Sequence, residues 1–547
     1  MIPTDIGLPT KFTSWRSAQF EAAVNIAANN KRFVLESMPT GAGKSIIYMA
    51  VAKLLEARTL VLTANKGLQQ QLLADFGGIG LTDIRGQGNY QCRALSHRKG
   101  FHGCDQGPCH FGRECEYKPR YDRVYQPGCE FYDQVARARK ARLVVTNYSF
   151  WMSANRYMGG GSNLLGQFDL LVLDEAHDAA DKLAEFCVVH LDKSECEEFL
   201  DAGLPPVEDG TDAWVSWAMM HHARLLGQIE HAKMFMGDDI ETIKRMTDLA
   251  TSLEFMKSAH TWKKGEPSDP EVTIPGLSSD WVGEKAADGK SATFSPVWAH
   301  GYAERWIFSN IKRVVLVSAT IMPQTARYLG IGEKEFEYHE HPSGFHPDRR
   351  PVYFVPCASI GRKSTDVELR AQMVKVDQII SARLDRKGII HTHSYDRAYQ
   401  VRMSSQYKQH MVWHRRGEVQ QAVEKYKAAG SGNYLISPSV EQGFDFPYAE
   451  CEFQIVAKVP FPDTRSAVMK ARIRSDKKYQ NYLTAMSLIQ MCGRGMRAED
   501  DKCETFVLDD NIYWFHAAAK GTLPKWFRAA IRMVKQLPPV AARIEHR

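Results

Sequence analysis

The chain has 547 residues, too many for one ordinary hydrophobic core, so we expect roughly three or four domains. Its 44% hydrophobic and 24% charged residues indicate a globular protein, and no apolar run approaches the roughly 18 residues of a membrane span. The first residues lack the charged start and apolar stretch of a secretory signal, which favours a cytoplasmic protein with no membrane partner.

The first motif is a glycine-rich loop between a strand and a helix. Residues 32–37 have the length and apolar content of a buried strand, and residues 45–55 have those of a helix. The intervening Met38-Pro-Thr-Gly-Ala-Gly-Lys-Ser45 predicts a phosphate-binding loop, in which Lys44 reaches the terminal phosphates and Ser45 holds Mg²⁺. The backbone that would wrap the phosphates is that of Thr40, Gly41, Ala42 and Gly43. The sequence therefore predicts ATP and Mg²⁺ as cofactors.

The segment from Arg85 to Arg142 is basic and rich in cysteine. It holds twelve Lys or Arg against six Asp or Glu, an excess of six charges that equals the net charge of the whole chain. Positive charge interleaved with tyrosine and phenylalanine suits a single-stranded nucleic acid. Crowded cysteines in a reducing compartment indicate a metal site before they indicate disulfides. The crowded cysteines are Cys92, Cys104, Cys109, Cys115 and Cys129.

A second phosphate-handling motif, Asp174-Glu-Ala-His177, follows an apolar strand at residues 170–173. Carboxylates at the carboxyl end of such a strand face the ligand crevice of an open α/β sheet. Asp174 can therefore hold the Mg²⁺ shared with Ser45, and Glu175 can activate the attacking water. Further strands of the same parallel sheet are predicted at 59–63 and 314–320.

A long insertion separates the predicted strand at 170–173 from the predicted strand at 314–320. Its apolar residues at helical spacing predict a helix packed on one face, and they are Ile240, Ile243, Met246, Leu249, Leu253 and Met256. Residues 257–300 are polar and rich in Gly, Ser and Pro, so we expect loop with weak sheet content.

A second alternation of strands and helices begins after about residue 331. Strand candidates lie at 352–355, 388–391, 434–436 and 453–457. This half contains no phosphate-binding motif of its own. We therefore expect a second α/β domain that closes over nucleotide held by the first.

The last motif is Gln490-Met-Cys-Gly-Arg-Gly-Met-Arg497. Arg494 and Arg497 are three residues apart, so on a helix they share a face and can both point into the cleft. Because a planar guanidinium suits a transferring phosphoryl group, we predict Arg494 and Arg497 as catalytic residues. Gln490, at the start of the same motif, is predicted as a catalytic residue with them. Upstream, Gly443 and Asp445 are predicted to relay the state of the nucleotide to the nucleic-acid path.

Together these segments resemble the XPD/DinG family of superfamily 2 iron–sulfur DNA helicases. The segments that carry the resemblance are 38–45, 88–92, 129–132, 143–148, 174–177, 318–320, 441–446 and 490–497. The resemblance implies an α/β fold of two RecA-like parallel-sheet motor domains with an inserted iron–sulfur domain and a helical arch. Gln19 stands three residues after Arg16, where such helicases use a glutamine to recognise adenine. By analogy, the compact length favours a bacterial or phage DinG-like protein associated with the nucleoid.

The resemblance also implies domain bounds. The first motor domain would comprise residues 1–84, 143–178 and 301–330, the iron–sulfur domain 85–142, the arch 179–300 and the second motor domain 331–547.

A [4Fe–4S] cluster is implied as a further cofactor. The expected ligands are Cys92, Cys109, Cys115 and Cys129, with Cys104 as the alternative. The outer two match the family positions, and Gly107-Pro108 and Gly112 provide tight turns around the inner two. Zinc is the alternative metal, because thiolate clusters also suit Zn²⁺.

The implied activity is ATP-driven unwinding of duplex DNA with movement along one strand, usually from 5′ to 3′. We expect single-stranded and forked DNA as partners, and a monomer. Two alternatives stay open. One is an RNA helicase, because the DEAH sequence also occurs there, and the other is a nucleic-acid-binding clamp that uses ATP as a switch without separating strands.

Overall fold

The computed structural model describes residues 1–16, 18–111, 113–119, 128–157, 160–205, 210–235, 239–263, 274, 277–440, 444–496, 501–519 and 521–540. In chain order its strands are β1 (Phe33–Ser37), β2 (Thr59–Thr63), β3 (Leu81–Asp83), β4 (Leu143–Asn147), β5 (Leu170–Asp174), β6 (Val189–Asp192), β7 (Trp281–Lys285), β8 (Ser291–Pro296), β9 (Arg313–Ser318), β10 (Phe336–Glu340), β11 (Val352–Phe354), β12 (Gly388–His391), β13 (Met411–Val412), β14 (Tyr434–Ser437), β15 (Phe453–Val456), β16 (Glu504–Val507) and β17 (Ile531–Met533).

The α-helices cover the two faces of the larger sheets or form the insertion. They are α1 (Gln19–Ala28), α2 (Lys44–Leu54), α3 (Lys66–Phe76), α4 (Glu130–Lys140), α5 (Tyr148–Tyr157), α6 (Gly161–Leu165), α7 (Ala179–Phe186), α8 (Lys193–Leu200), α9 (Gly210–Phe235), α10 (Ile240–Lys263), α11 (Pro323–Tyr328), α12 (Asp366–Ser381), α13 (Tyr395–Ser404), α14 (Val419–Ala428), α15 (Ala467–Ser475), α16 (Tyr479–Cys492), α17 (Asn511–Ala519) and α18 (Lys525–Arg528). Within the described ranges, none of these helices combines the length and apolar character that a membrane span requires.

Two seven-stranded parallel sheets form the motor domains. The first has the order β10-β1-β9-β5-β2-β4-β3, and the second has the order β13-β14-β12-β15-β16-β11-β17. Their central strands are fully buried and mostly apolar, because helices cover both faces of a parallel sheet. The predicted fold class, two RecA-like α/β domains, is confirmed.

The first sheet extends further along the chain than the sequence predicted. Strand β10 pairs in parallel with β1, with Phe336 opposite Phe33. The second motor domain therefore begins after this strand, and the predicted bound at residue 331 is wrong. The sequence signal failed because β10 is a half-exposed edge strand that lacks the apolar run of the inner strands.

The insertion combines a helical hairpin with a small sheet. The long helices α9 and α10 pack against each other, and the predicted apolar face of α10 buries Ile243, Leu249 and Leu253. Strands β6, β8 and β7 form an antiparallel sheet in that order. Residues 257–300 thus contain the end of α10 and two full strands, which is more regular structure than the polar composition predicted.

An aromatic cluster joins the insertion to both motor domains. Trp298 stacks on Tyr328 of the first motor domain with ring centroids 5.0 Å apart, and its Nε1 donates to Ser475 Oγ at 2.7 Å. Tyr479 of α16 meets the edge of Trp298 with centroids 4.8 Å apart. We call Trp298, Tyr328, Tyr479 and Tyr482 the aromatic junction.

Candidate functional site

The glycine-rich loop follows β1 and leads into α2, as the sequence predicted. Gly41 and Gly43 have φ of 77° and 71°, a left-handed conformation that residues with a Cβ rarely adopt. Gly43 is also sterically required, because a Cβ there would lie 2.5 Å from Nε2 of Gln19. Met38 N donates to Ser318 O at 2.9 Å, which fixes the loop to the end of β9. The loop and the amino end of α2 together present backbone N–H groups to one side, as phosphate binding requires.

Asp174 and Glu175 lie directly beside this loop. Asp174 is buried at the end of β5, and its Oδ2 accepts from Tyr48 Oη at 3.3 Å. Burial, and then the adjacent Glu175 carboxylate, raise the pKa of Asp174 to about 6. Lys44 Nζ lies 3.2 Å from Glu175 Oε1. Burial opposes ionisation of Glu175, but Lys44 and His177 outweigh it and hold the pKa of Glu175 well below its usual range.

His177 connects the DEAH motif to the end of β9. Its Nδ1 lies 2.6 Å from Ser318 Oγ, and that hydroxyl donates to Glu175 Oε2 at 3.1 Å. Its Nε2 lies 3.0 Å from Asp178 Oδ1. Burial disfavours a charged ring, yet Asp178 and Glu175 raise the pKa of His177 to about 10. The ring is therefore an imidazolium at neutral pH, and it holds Glu175 in place.

The second motor domain supplies the opposite wall. The side-chain amide of Gln490 contacts Nε2 of His177. Gly493 packs on the phosphate-binding loop so closely that a Cβ would lie 2.9 Å from Cγ2 of Thr40. Arg494 is buried, and its Nη1 donates to Phe444 O at 2.9 Å. The two domains thus meet at the predicted motifs.

A cavity of about 900 Å³ lies between these walls. Its lining includes Thr40, Gly41, Gly43, Lys44, Ser45, Asp174, Glu175, Asp445, Gln490 and Arg494. Asp445 reaches the site through Arg494, whose Nη1 lies 3.8 Å from Asp445 Oδ1. Gly443 and Arg497, also predicted for this site, lie outside the described residues.

Gln19 is buried next to the phosphate-binding loop, and both ends of its side-chain amide are hydrogen-bonded. Its Nε2 donates to Ala42 O at 2.7 Å, and its Oε1 accepts from Arg16 N at 2.9 Å. A smaller pocket of about 100 Å³ lies beside it and is lined in part by His341 and Phe345. No sequence pattern predicted these two residues, because the connection between the motor domains brings them there from a distant part of the chain.

A buried carboxylate holds that connection to the first sheet. Glu36 of β1 is fully buried, and its Oε1 lies 2.8 Å from Nδ1 of His339. His341 bonds the other oxygen of the same carboxylate. Hydrogen bonding to Glu36 raises the pKa of His339 to about 9 despite partial burial. This cluster was not predicted, since its members are about 300 residues apart and meet only through the pairing of β1 with β10.

Comparisons with known proteins agree with this arrangement. No curated protein matches the chain by sequence. The family model described as Helicase C-terminal domain matches residues 378–530, and the one described as Type III restriction enzyme, res subunit, matches residues 12–199. An XPD helicase structure superposes with a TM-score of 0.61 at 14% sequence identity, covering 95% of this chain and 100% of that chain. One segment of the chain thus matches a helicase family model, and the chain as a whole has the fold of the XPD helicase structure.

Two further XPD structures superpose on this chain over the same shares of both chains. Xpd4 of S. tokodaii gives a TM-score of 0.56 at 13% identity, and an apo XPD structure gives 0.57 at 12%. At such identities the likeness establishes the fold, and the roles of single residues rest on the geometry above.

The five clustered cysteines converge on one region between β3 and α4. Cys92, Cys104 and Cys129 are buried, and Sγ of Cys104 lies 3.9 Å from Sγ of Cys129. Cys109 and Cys115 are half-buried. Burial raises the pKa of Tyr132, and four of the thiols add to the increase, so these thiols surround one ring.

The donors in this region are chemically right for a thiolate-bound metal. Among the residues that the structure describes, however, no three His, Cys, Asp or Glu side chains are arranged as a metal site. The described cysteines therefore fit a cluster in donor type and proximity but not in ligand geometry. Gly112, one of the predicted turn residues, lies outside the described residues.

Proposed function

We propose that this protein is an ATP-dependent DNA helicase that moves along single-stranded DNA, from 5′ to 3′, and unwinds duplex DNA. The observation that supports it is the contact between Gln490 and His177, which joins the two predicted motor motifs across one cavity. A site built from two hinged domains changes shape when nucleotide binds, and such a change can advance a strand.

Each wall of the cavity has a distinct task in this proposal. The glycine-rich loop and Lys44 bind the phosphates, while Ser45 and Asp174 would hold Mg²⁺. Lys44 now pairs with Glu175, so an incoming triphosphate competes for the ammonium and leaves Glu175 able to orient water. Arg494, with Arg497, stabilises charge that develops on the transferring phosphoryl group.

Gln490 serves as the sensor in this arrangement. Its partner His177 also bonds Ser318, which bonds Glu175, so displacement of the second domain reaches the proposed base through three side chains. This chain of contacts gives a physical route by which hydrolysis depends on closure of the domains. Asp445, adjacent to Arg494, extends the route into the second domain.

We also propose a [4Fe–4S] cluster on four of the five clustered cysteines, with Zn²⁺ as the rival metal. The proposal is supported by the convergence of the thiols and by the family resemblance. When bound, such a group would cross-link a segment that has little regular structure between β3 and α4.

The test compares the intact wild-type protein with three variants. Lys44→Ala and Glu175→Gln should abolish ATPase activity stimulated by single-stranded DNA, whereas Lys53→Ala, a lysine in the last turn of α2, should retain it. Wild-type protein should unwind a duplex with a 5′ tail and fail on one with a 3′ tail. Normal turnover in both site variants would refute ATP hydrolysis at this cavity.

The same assay separates the two alternatives. Stimulation by RNA and not by DNA would replace the proposal with an RNA helicase. Tight, ATP-modulated DNA binding without unwinding of either tailed duplex would replace it with an ATP-switched clamp.

A further inference from the structure

Trp514 is an exposed aromatic residue in the first turn of α17. Its side chain is 58% exposed, and its ring lies 5.9 Å from that of Phe461, centroid to centroid. Phe461 packs its other side on the core of the second motor domain, where it meets Phe515. The Trp514 ring thus contacts Phe461 and is open to solvent. This exposure is unusual, since most aromatic rings in this domain are buried.

Three loops build the surface around this pair. They follow the carboxyl ends of β11, β15 and β16, which are neighbours in the second sheet. Asp509 ties the loops together, because its Oδ1 accepts from Ile360 N at 3.0 Å and its Oδ2 accepts from Val459 N at 2.8 Å. Asp510 adds a bond from Cys357 N at 2.9 Å. These hydrogen bonds from backbone N–H groups to aspartate carboxylates hold the three loops in a fixed arrangement before any ligand binds.

The two loops that flank the rings are positively charged. Residues 357–365 and 458–466 together carry four Lys or Arg against one Asp. The cations are Arg362, Lys363, Lys458 and Arg465, of which Arg465 pairs with Asp463. Asp509 and Asp510 keep their negative charge while they accept from backbone N–H groups, so the four cations exceed the three carboxylates of this surface by one charge.

We infer that Phe461, Trp514, Arg362 and Lys458 form a stacking platform for one strand of single-stranded DNA. Ligands of open α/β sheets bind at the carboxyl ends of the strands, which is where the platform lies. An aromatic face beside positive charge is what a single strand needs, because bases stack on the ring and phosphates meet the cations. The inference rests on the proposed function and specifies where the second motor domain holds its strand.

The first experiment measures binding of a fluorescently labelled oligo-dT strand to the intact protein by anisotropy. Trp514→Ala should raise Kd about 10-fold, the effect of losing one stacked base. Trp514→Phe should restore most of the affinity. Tyr399→Ala, a control at another exposed aromatic residue of the same domain, should leave Kd unchanged.

The second experiment separates stacking from charge. Lys458→Ala should reduce the slope of log K against log salt by about 0.7, the value for one phosphate contact on a single strand. Trp514→Ala should weaken binding while leaving that slope unchanged. ATPase activity without DNA should be equal in all these variants, and the DNA concentration for half-maximal stimulation should rise in step with Kd.

Three results are decisive. If Trp514→Ala and a second variant, Trp514→Gln, bind the strand as tightly as wild type, the platform is refuted and the helicase proposal stands. The platform is also refuted if Trp514→Ala and Trp514→Gln bind single-stranded DNA normally but no longer bind a protein that the wild type binds, because the surface would then be a protein-binding site. If wild-type protein binds no single-stranded DNA at all, the proposed function fails and the platform fails with it.

Discussion

Gln490 of the second motor domain contacts the imidazole of His177 in the first, so the arginine-bearing motif and the DEAH motif form one connected site. The two residues are 313 positions apart in the chain. His177 lies 3.4 Å from Glu175 Oε2 and also bonds Ser318, which bonds Glu175, so two routes link the proposed base to the domain boundary.

Removing this contact should uncouple the base from domain closure. We expect Gln490→Ala to lower kcat for DNA-stimulated ATP hydrolysis by about 10- to 100-fold, because small misplacements of catalytic groups have effects of that size. The KM for ATP should change little, since Gln490 binds a side chain and not the phosphates. Steady-state kinetics tests this, with Gln480→Ala on the same helix as the control. An unchanged kcat in the Gln490 variant would remove Gln490 from the mechanism.

Binding of Mg²⁺ should depend on pH through Asp174. Burial and Glu175 raise the pKa of this carboxyl from 3.8 to about 6, so the folded protein retains a proton there that the unfolded chain releases. This group therefore stabilises the fold fully below about pH 3.8 and loses that contribution as pH rises through about 6. Mg²⁺ binds the ionised carboxylate, so the affinity for Mg²⁺ should rise as pH rises through about 6.

The measurement is the rise in Tm caused by Mg²⁺ with a non-hydrolysable ATP analogue. The rise should be larger at about pH 7.5 than at about pH 5.5, because the carboxylate is mostly protonated at the lower value. Asp174→Asn should remove the difference between the two pH values. Equal Mg²⁺ effects at both pH values in the wild type would show that Asp174 does not hold the metal.

Serine substitutions should identify the cluster ligands. We expect Cys109→Ser to reduce iron and acid-labile sulfide after anaerobic purification, and Cys104→Ser to retain both. Sγ of Cys104 lies 3.9 Å from Sγ of the proposed ligand Cys129, so Cys104 is close enough to this ligand set to take the place of Cys109. Iron loss in the Cys104 variant with full iron in the Cys109 variant would exchange their roles. A colourless wild-type protein with stoichiometric zinc would favour the rival metal.

The aromatic junction should contribute strongly to stability. Trp298 is buried between the insertion and both motor domains, so Trp298→Ala should cost about 3–5 kcal/mol of unfolding free energy. Tyr328→Phe keeps the ring but loses the 2.9 Å bond to Asp476 Oδ2, and should cost about 1 kcal/mol. Urea unfolding checks both, with the exposed Tyr157→Ala as a control near zero. Equal losses in the two junction variants would contradict the packing role of Trp298.

The local elements of the motor domains were predictable because their signals are local. Helix α2 begins at Lys44, one residue before the predicted start at residue 45, since the glycines before it favour the left-handed turn that ends the loop. The apolar runs at 59–63 and 170–173 became central strands, because burial on both faces leaves no room for polar residues. Strand β10 was not predicted, because it lies at the edge of the sheet, where a strand is partly exposed and does not require a run of apolar residues.

A phosphate-binding loop, a DEAH motif and an arginine-bearing motif in two α/β domains could be read from the amino-acid sequence. The folded chain was needed to show that His177 meets Gln490, that His339 and His341 share the carboxylate of Glu36, and that Trp514 stays exposed beside Phe461. Backbone propensity and apolar periodicity act over a few residues and leave a pattern in the sequence. Contacts between residues hundreds of positions apart depend on strand order and domain packing, which no short stretch of sequence encodes.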